Sequence, residues 1–308
     1  MNELPVLQGP HRRLRSAGFV DGNHCTTLRD LIRGTEPALL MEAHDAVSAR
    51  IAARAGFRAL WASGLTLSSV AGYRDCNEMS WTDLVSHVQV VVDASDLPVL
   101  VDADNGFGNF NNFRLLVGRL GLAGAAGAVV EDKLFPKLNS LVDGPQHLET
   151  VGSFCGKIKA GLDARQDPDF QIIARVEALI SGHGVEEALE RAHAYCEAGA
   201  DGIFLQSRQP TAREVFAFAR NWNARAPLLL APTTFSSTAP SEYRAHAVGA
   251  VVCANHNLRS AMRAMHKVCA TILASGGIHQ LGDDVTPISD LFDLMDYQEL
   301  AQAQAAYE

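Results

Sequence analysis

The chain has no run of Lys and Arg, no Cys-x-x-Cys pair and no apolar stretch approaching the roughly 20 residues that span a bilayer. Each absence narrows the field. Lys and Arg number 26 against 35 Asp and Glu, a formal net charge of −9. An acidic chain with scattered basic residues counts against nucleic acid as a partner, and the missing apolar span counts against a membrane. The six cysteines (Cys25, Cys76, Cys155, Cys196, Cys253 and Cys269) stand apart, mostly among apolar neighbours. They signal neither a zinc site nor a redox motif, and they suit a reducing cytoplasm, the expected location. Arg12, Arg13 and Arg15 lie near the amino terminus without the apolar stretch and cleavage site of a secretory signal. No Gly-x-Gly-x-x-Gly opens a helix after the first apolar run, which counts against an open dinucleotide-binding sheet.

What is present is a substantial core. The 308 residues are 47% hydrophobic, enough for one large α/β domain or two small ones. Eight short apolar runs read as strands. They begin near Ala38, Arg58, Pro98, Ala128, Gln171, Gly202, Pro227 and Gly249. Segments with helical spacing separate most of them, such as Phe113, Leu116, Val117 and Leu120. Thr26 or Thr27 is placed to cap a short helix through Ile32, and Ser80 to cap one through Ala94. Repeated β-α units imply parallel strands, and eight of them close most economically into a (β/α)8 TIM-type barrel. The expected division is an irregular arm over residues 1–25, a barrel catalytic domain over 26–277, and a linker with a final amphipathic helix over 278–308. That helix has no strand of its own to cover, so it is expected to dock elsewhere.

A barrel concentrates chemistry at the carboxyl ends of its strands. Polar residues gather there: His44, Ser63, Asp102, Asp104, Glu131, Arg175, Gln206, Thr233 and Asn255. The densest stretch is Pro98–Gly108, where an apolar strand runs into Asp102 and Asp104. Their i, i+2 spacing puts both on one side if the strand continues. Together with Glu131 they supply only oxygen ligands, which favours Mg2+ or Mn2+ over zinc. Mg2+ keeps several waters, so one acid is expected to bind directly and others through water. Arg175 is placed to pair with the acids, to clamp an anion, or to bridge to Glu177 at the barrel mouth. Ser63-Gly64-Leu65 offers backbone N–H groups to a carboxylate. These residues describe a site for a small, strongly anionic substrate that chelates a metal.

Five stretches carry a resemblance: Glu42-Ala-His44, Trp61-Ala-Ser-Gly-Leu65, Asp102-Ala-Asp104-Asn-Gly-Phe-Gly-Asn109, Glu131-Asp-Lys-Leu-Phe-Pro-Lys-Leu-Asn-Ser140 and Ala174-Arg-Val-Glu177. In consistent order over about residues 26–275, they resemble the phosphoenolpyruvate mutase family of the isocitrate lyase superfamily. The resemblance implies an isomerase that interconverts phosphoenolpyruvate and 3-phosphonopyruvate, forming a P–C bond in phosphonate biosynthesis. It implies that Asp102 binds Mg2+ (or Mn2+), with Asp75, Asp104 and Glu131 holding its waters. By the same likeness Ser63, Gly64 and Leu65 hold the substrate carboxylate and Trp61 walls the pyruvate plane. Arg175, Asn139 and Ser140 grip the phosphoryl group. Lys137 lies on the same loop, which closes over the substrate. The family exchanges its final helices between subunits of a dimer of dimers, which would account for the orphan carboxyl-terminal helix.

Two departures stand out. Mutases usually carry Thr where this chain has Asn105, and His where it has Gln206. Asn105 is expected to keep a loop hydrogen bond. Gln206 can donate to an anion but cannot carry charge, which leaves room for a related substrate. The alternatives are a phosphonopyruvate hydrolase or a 2-oxo acid lyase of the same superfamily. Related hydrolases tend to carry Thr where this chain has Asn139, and lyases usually carry a catalytic Cys in the loop that runs here from Lys133 to Ser140 without one.

Overall fold

Apolar strands that can be buried on both faces need helices outside and one another inside. The computed structural model, which describes residues 23–308, satisfies that need with a closed ring. The strands are β1 (Ala38–Glu42), β2 (Ala59–Ala62), β3 (Val99–Asp102), β4 (Gly127–Glu131), β5 (Gln171–Val176), β6 (Gly202–Leu205), β7 (Leu228–Leu230) and β8 (Val248–Cys253). All pair in parallel in sequence order, and β8 closes on β1 through Ala38 opposite Ala250. The (β/α)8 barrel expected from the sequence is the observed fold. The irregular arm expected over residues 1–25 lies, up to residue 22, outside the described residues. Its last three positions belong to α1 (Asn23–Ile32), so this helix starts before Thr26 and Thr27 rather than being capped by them.

Helices α2 (Ala46–Arg54), α4 (Trp81–Asp93), α5 (Phe110–Leu122), α6 (Val151–Ala164), α7 (Gly184–Glu197) and α8 (Arg213–Trp222) cover the ring, with α3 (Gly64–Val70) between β2 and α4. Their starts follow local chemistry. Asp45 and Ser48 form a reciprocal capping box on α2, Ser80 accepts from Asp83 N–H on α4, and Thr150 accepts from Ser153 N–H on α6. α6 starts only after Thr150, since Leu148 just before it is held in a β-bridge with Lys133. α3 forms although a Gly, Thr and Ser-rich stretch has weak helix propensity, which burial overrides here. A short helix, α9 (Pro240–Ala245), is opened by Pro240 between β7 and β8.

The last helices depart from a regular barrel. α10 (His256–Ser275) has 20 residues and none of them is buried. The single final helix of the sequence reading is two, α11 (Ile288–Leu294) and α12 (Tyr297–Tyr307), broken at Asp296, which takes a left-handed φ of 58°. α11 rests on the outside of α2, where Arg50 donates to Leu294 O at 2.9 Å and Arg54 pairs with Asp293 at 2.6 Å. Among the described residues no helix is long and apolar enough to cross a membrane.

Candidate active site

Parallel register sets the first contacts at the carboxyl face. Glu131 on β4 is paired with Arg175 on β5, and Arg175 with Phe204 on β6. Neighbouring residues of a parallel pair share a face, so an acid, a base and an aromatic ring stand side by side. The Arg175 guanidinium lies 5.5 Å from the Phe204 ring centre, and Phe204 stacks on Trp61 of β2 at 5.6 Å. These rings floor a cavity of about 40 Å3. Trp61, Ser63, Leu65, Asp75, Asp102, Lys137, Asn139, Ser140, Arg175 and Gln206 all line it. Gly64, Asp104 and Glu131, the other expected site residues, are buried immediately behind that lining. His44 stands apart from the cavity, its Nδ1 2.5 Å from Glu42 Oε1.

The acids come together, but not by the route expected. β3 ends at Asp102, and Asp104 turns back with a left-handed φ of 50°, donating its N–H to Asp102 Oδ1 at 3.2 Å. The Asp-x-Asp pair therefore converges through a turn rather than through strand alternation. Asn105 holds that turn by accepting from Phe107 N–H at 3.3 Å, as expected of it.

The loop after β4 roofs the cavity. Lys137 Nζ reaches Asp75 at 2.8 Å and Asp104 at 2.5 Å, and Asn139 donates to Asp75 Oδ2 at 2.5 Å. Across the cavity Ser140 Oγ donates to Glu177 Oε2 at 2.6 Å, while Arg175 donates to Ser140 Oγ at 2.7 Å and Gln206 Oε1 at 2.8 Å. Arg175 also pairs with Glu177 at 2.6 Å, so the salt bridge and the cavity-facing role coexist.

Charge in this small space explains the titration of its groups. Burial would raise the Asp75 carboxyl, but the Lys137 ammonium and the Asn139 hydrogen bond outweigh it and hold the group below the usual range. Burial of Asp104, reinforced by the charges of Asp75 and Asp102, lifts its carboxyl to about 8 despite Lys137. Burial likewise raises Glu131, only partly offset by Lys133, Lys137 and Arg175. Glu177 goes the other way: burial is outweighed by Arg175 and Lys133, and its carboxyl falls to about 2.

Whether these residues suit a metal can be judged from what they lack. Among the described residues neither buried carboxylate oxygen of Glu131 has a hydrogen-bond partner, and Arg175 lies at 3.4 Å and Lys133 at 3.8 Å. Among the described residues, Asp75, Asp102, Asp104, Glu131 and Glu177 pair with three cations, Lys133, Lys137 and Arg175. Fully ionised, that set carries two excess negative charges, which a divalent cation would neutralise. Among the described residues no three acids stand close enough to ligate one ion directly. Oxygen donors that stop short of a full direct cage suit a hard ion that keeps several of its waters.

The sequence reading missed two supports of this site. Lys133, fully buried, donates to Ser140 Oγ at 2.6 Å and Leu138 O at 2.9 Å and pairs with Glu177 at 3.0 Å. Asn77 donates to Asp104 Oδ2 at 3.2 Å and accepts Lys137 N–H at 2.7 Å. Glu177 had a signal, two residues beyond Arg175 and just past the end of β5; Asn77 had none beyond a polar stretch. A larger cavity, about 730 Å3, opens at the amino-terminal ends of β1 and β2 beside Pro37, Leu39 and Phe57. That end of such barrels serves stability rather than chemistry, and the convergent charges are at the other end.

Fold and site together define an α/β-barrel enzyme with an acid-rich, loop-covered cavity for a small polyanion. The chain belongs to the phosphoenolpyruvate phosphomutase family, whose family model matches residues 28–273. It is 45% identical over 281 residues to the phosphoenolpyruvate phosphomutase of Streptomyces hygroscopicus, covering 91% of this chain and 90% of that one. The crystal structure of phosphoenolpyruvate phosphomutase from Streptomyces platensis subsp. rosaceus superposes with a TM-score of 0.90 at 37% identity, covering 92% of this chain and 99% of that one. A phosphonopyruvate hydrolase in complex with oxalate and Mg++ superposes with a TM-score of 0.87 at 35% identity, over the same shares of the two chains.

Proposed function

We propose that this chain interconverts phosphonopyruvate and phosphoenolpyruvate by moving the phosphoryl group between carbon and oxygen of one molecule. The observation that carries this reading is the closed roof. Lys137, Asn139 and Ser140 point from one loop into a cavity whose walls are acids on one side and Arg175 on the other. A phosphoryl group in flight needs positioning and charge stabilisation more than a protein nucleophile. It also needs water kept out, since water would capture it.

In this proposal Ser63, Gly64 and Leu65 hold the substrate carboxylate, and Trp61 walls the planar pyruvate unit. Arg175, Ser140, Asn139 and Gln206 hold the phosphoryl oxygens, and Lys137 and Asp75 tie the roof to the acid side. The P–C bond breaks with its electron pair passing to the pyruvate enolate. The enolate oxygen then takes the phosphoryl group, and no proton is exchanged. Asp102, with Asp75, Asp104 and Glu131, would hold Mg2+ (Mn2+ as the substitute), which would supply Lewis-acid stabilisation of the enolate charge. Gln206 suits a reaction without net proton transfer, because its amide donates but does not titrate.

The likeness to the Streptomyces enzymes and the Asn at position 139 favour isomerisation over hydrolysis. The proposal also takes residues 26–277 as the catalytic barrel and 278–308 as an extension, works in the cytoplasm, and assembles as a dimer of dimers. The unburied α10 and the exposed Leu39 on β1 support that assembly, since each lacks a covering neighbour among the described residues.

The test is ³¹P NMR of the chain with phosphonopyruvate and Mg2+. Phosphoenolpyruvate should accumulate with little phosphate, and Asn139→Ala should lower the rate by at least about tenfold, or ~1.4 kcal/mol. Release of pyruvate and phosphate with no phosphoenolpyruvate at any time would replace the isomerase reading with the hydrolase.

A further inference from the structure

The loop over the site is not held by an apolar seat. Leu134, Phe135, Leu141 and Val142 are exposed on its outer surface. Its hold on the barrel is polar, and the contacts fall into three groups. On the acid side are Lys137 with Asp75 and Asp104, Asn139 with Asp75, and Lys137 N–H with Asn77. Beneath the loop are Lys133 and Arg175, which bond to Ser140 Oγ. Apart from Lys133 and Asn77, the side chains of these two groups are ones that would hold metal waters or substrate or tie the roof to them, so their contacts change as ligands arrive.

The third group does not. Arg208 stands three residues beyond the end of β6 and directs its guanidinium at the main chain of the loop. Nε donates to Ser140 O at 2.7 Å, Nη2 donates to Val142 O, and Nη1 lies 3.3 Å from the exposed Asp143 carboxylate. The arginine has a planar fork of donors, and here that fork spans two carbonyls of one loop. Among the described residues Arg208 makes no other hydrogen bond or ion pair, and Ser140, whose carbonyl it grips, is the residue whose hydroxyl meets Arg175 and Glu177.

We propose that Arg208 is a positioning residue for the reaction: it latches the loop shut independently of ligands and so fixes Asn139 and Ser140 over the phosphoryl group. Its chemistry rests on the isomerase reading, but the latch itself does not. Releasing it should shift the loop toward open by roughly tenfold, the worth of about one hydrogen bond from a charged donor. An open interval during turnover lets water reach the phosphoryl group, so isomerisation should leak into hydrolysis.

The experiment compares the native chain with Arg208→Ala and Arg208→Lys. Hydrogen exchange of the Lys137 amide, which bonds to Asn77 Oδ1 across the gap, reads closure in the ligand-free protein. ³¹P NMR with phosphonopyruvate and Mg2+ reads the ratio of phosphate to phosphoenolpyruvate. Arg208→Ala should speed that exchange about tenfold and raise the phosphate share, with Arg208→Lys between it and native. Amides of β3 and β4 should keep native exchange, separating loop release from unfolding. Native exchange at Lys137 in Arg208→Ala overturns the latch. Faster exchange with an unchanged product ratio overturns its role in the reaction. If native protein makes no phosphoenolpyruvate, the isomerase reading fails, and the exchange measurement alone decides the latch.

Discussion

Gly64 lies against Asp104 so closely that a Cβ on the glycine would sit 2.7 Å from Asp104 Oδ1 and 3.4 Å from Asp102 Cγ. Its backbone is ordinary helix, so the constraint is space rather than conformation. Gly64→Ala should fold, because a carboxylate oxygen can swing aside, but the acids should lose their arrangement. The expected result is Mg2+ affinity weakened by at least about tenfold, ~1.4 kcal/mol, in a calorimetric titration. Native affinity in this variant would contradict the placement of the ion beside Asp104.

The two aspartates should differ in kind. Asp102→Ala should abolish Mg2+ binding, whereas Asp104→Ala, acting through water, should retain weakened binding. Excess chelator should stop turnover, and added Mg2+ or Mn2+ should restore it. Full turnover in chelator would remove the metal from the reading.

Glu177 should govern acid stability. Burial raises its carboxyl but Arg175 and Lys133 outweigh this, bringing it from about 4.5 down to about 2. A group depressed in the folded state contributes stability that is fully present above its unfolded value. That stability fades as pH falls from about 4.5 toward 2. Urea midpoints should therefore drop steeply over that interval, and Glu177→Gln should be less stable at pH 6 yet lose less on acidification. A parallel decline in both proteins would count against Glu177.

Removing residues 278–308 should change assembly. α11 rests on α2 through Arg50 and Arg54, while Leu273 at the end of α10 is 86% exposed and Ile288, Leu291 and Phe292 are exposed as well. The shortened chain should elute as smaller species or aggregates. Elution at the native assembly size, allowing for the lost mass, would speak against docking of the extension on a neighbour.

The barrel was legible because eight apolar runs at β-α spacing leave few other ways to bury strands on both faces. The acids at strand ends were legible for the same reason: a carboxylate closing an apolar run has little structural purpose. Lys133 and Asn77 were not. Lys133 reads as a solvated loop residue until the chain folds back and buries it between Glu177 and Ser140. Asn77 matters only through distance in sequence, since its partners are Asp104 and Lys137. The Asp102–Asp104 convergence was expected for the wrong reason, because strand periodicity does not foresee a left-handed residue. α3 has no clear signal in the sequence, since its helix is stabilised by burial of Leu67 and Thr66 rather than by its own propensity.

The stacked Trp61 gives this chain a built-in lamp. Of three tryptophans, Trp222 packs at the end of α8 and Trp81 opens α4, while Trp61 lines the cavity, its indole N–H without a partner among the described residues. Whatever fills that cavity alters the polarity and the collisional surroundings of a single indole. Fluorescence at Trp61, with Trp81→Phe and Trp222→Phe silencing the background, would then time ligand arrival and loop closure on the millisecond scale in a stopped-flow cell, without any turnover.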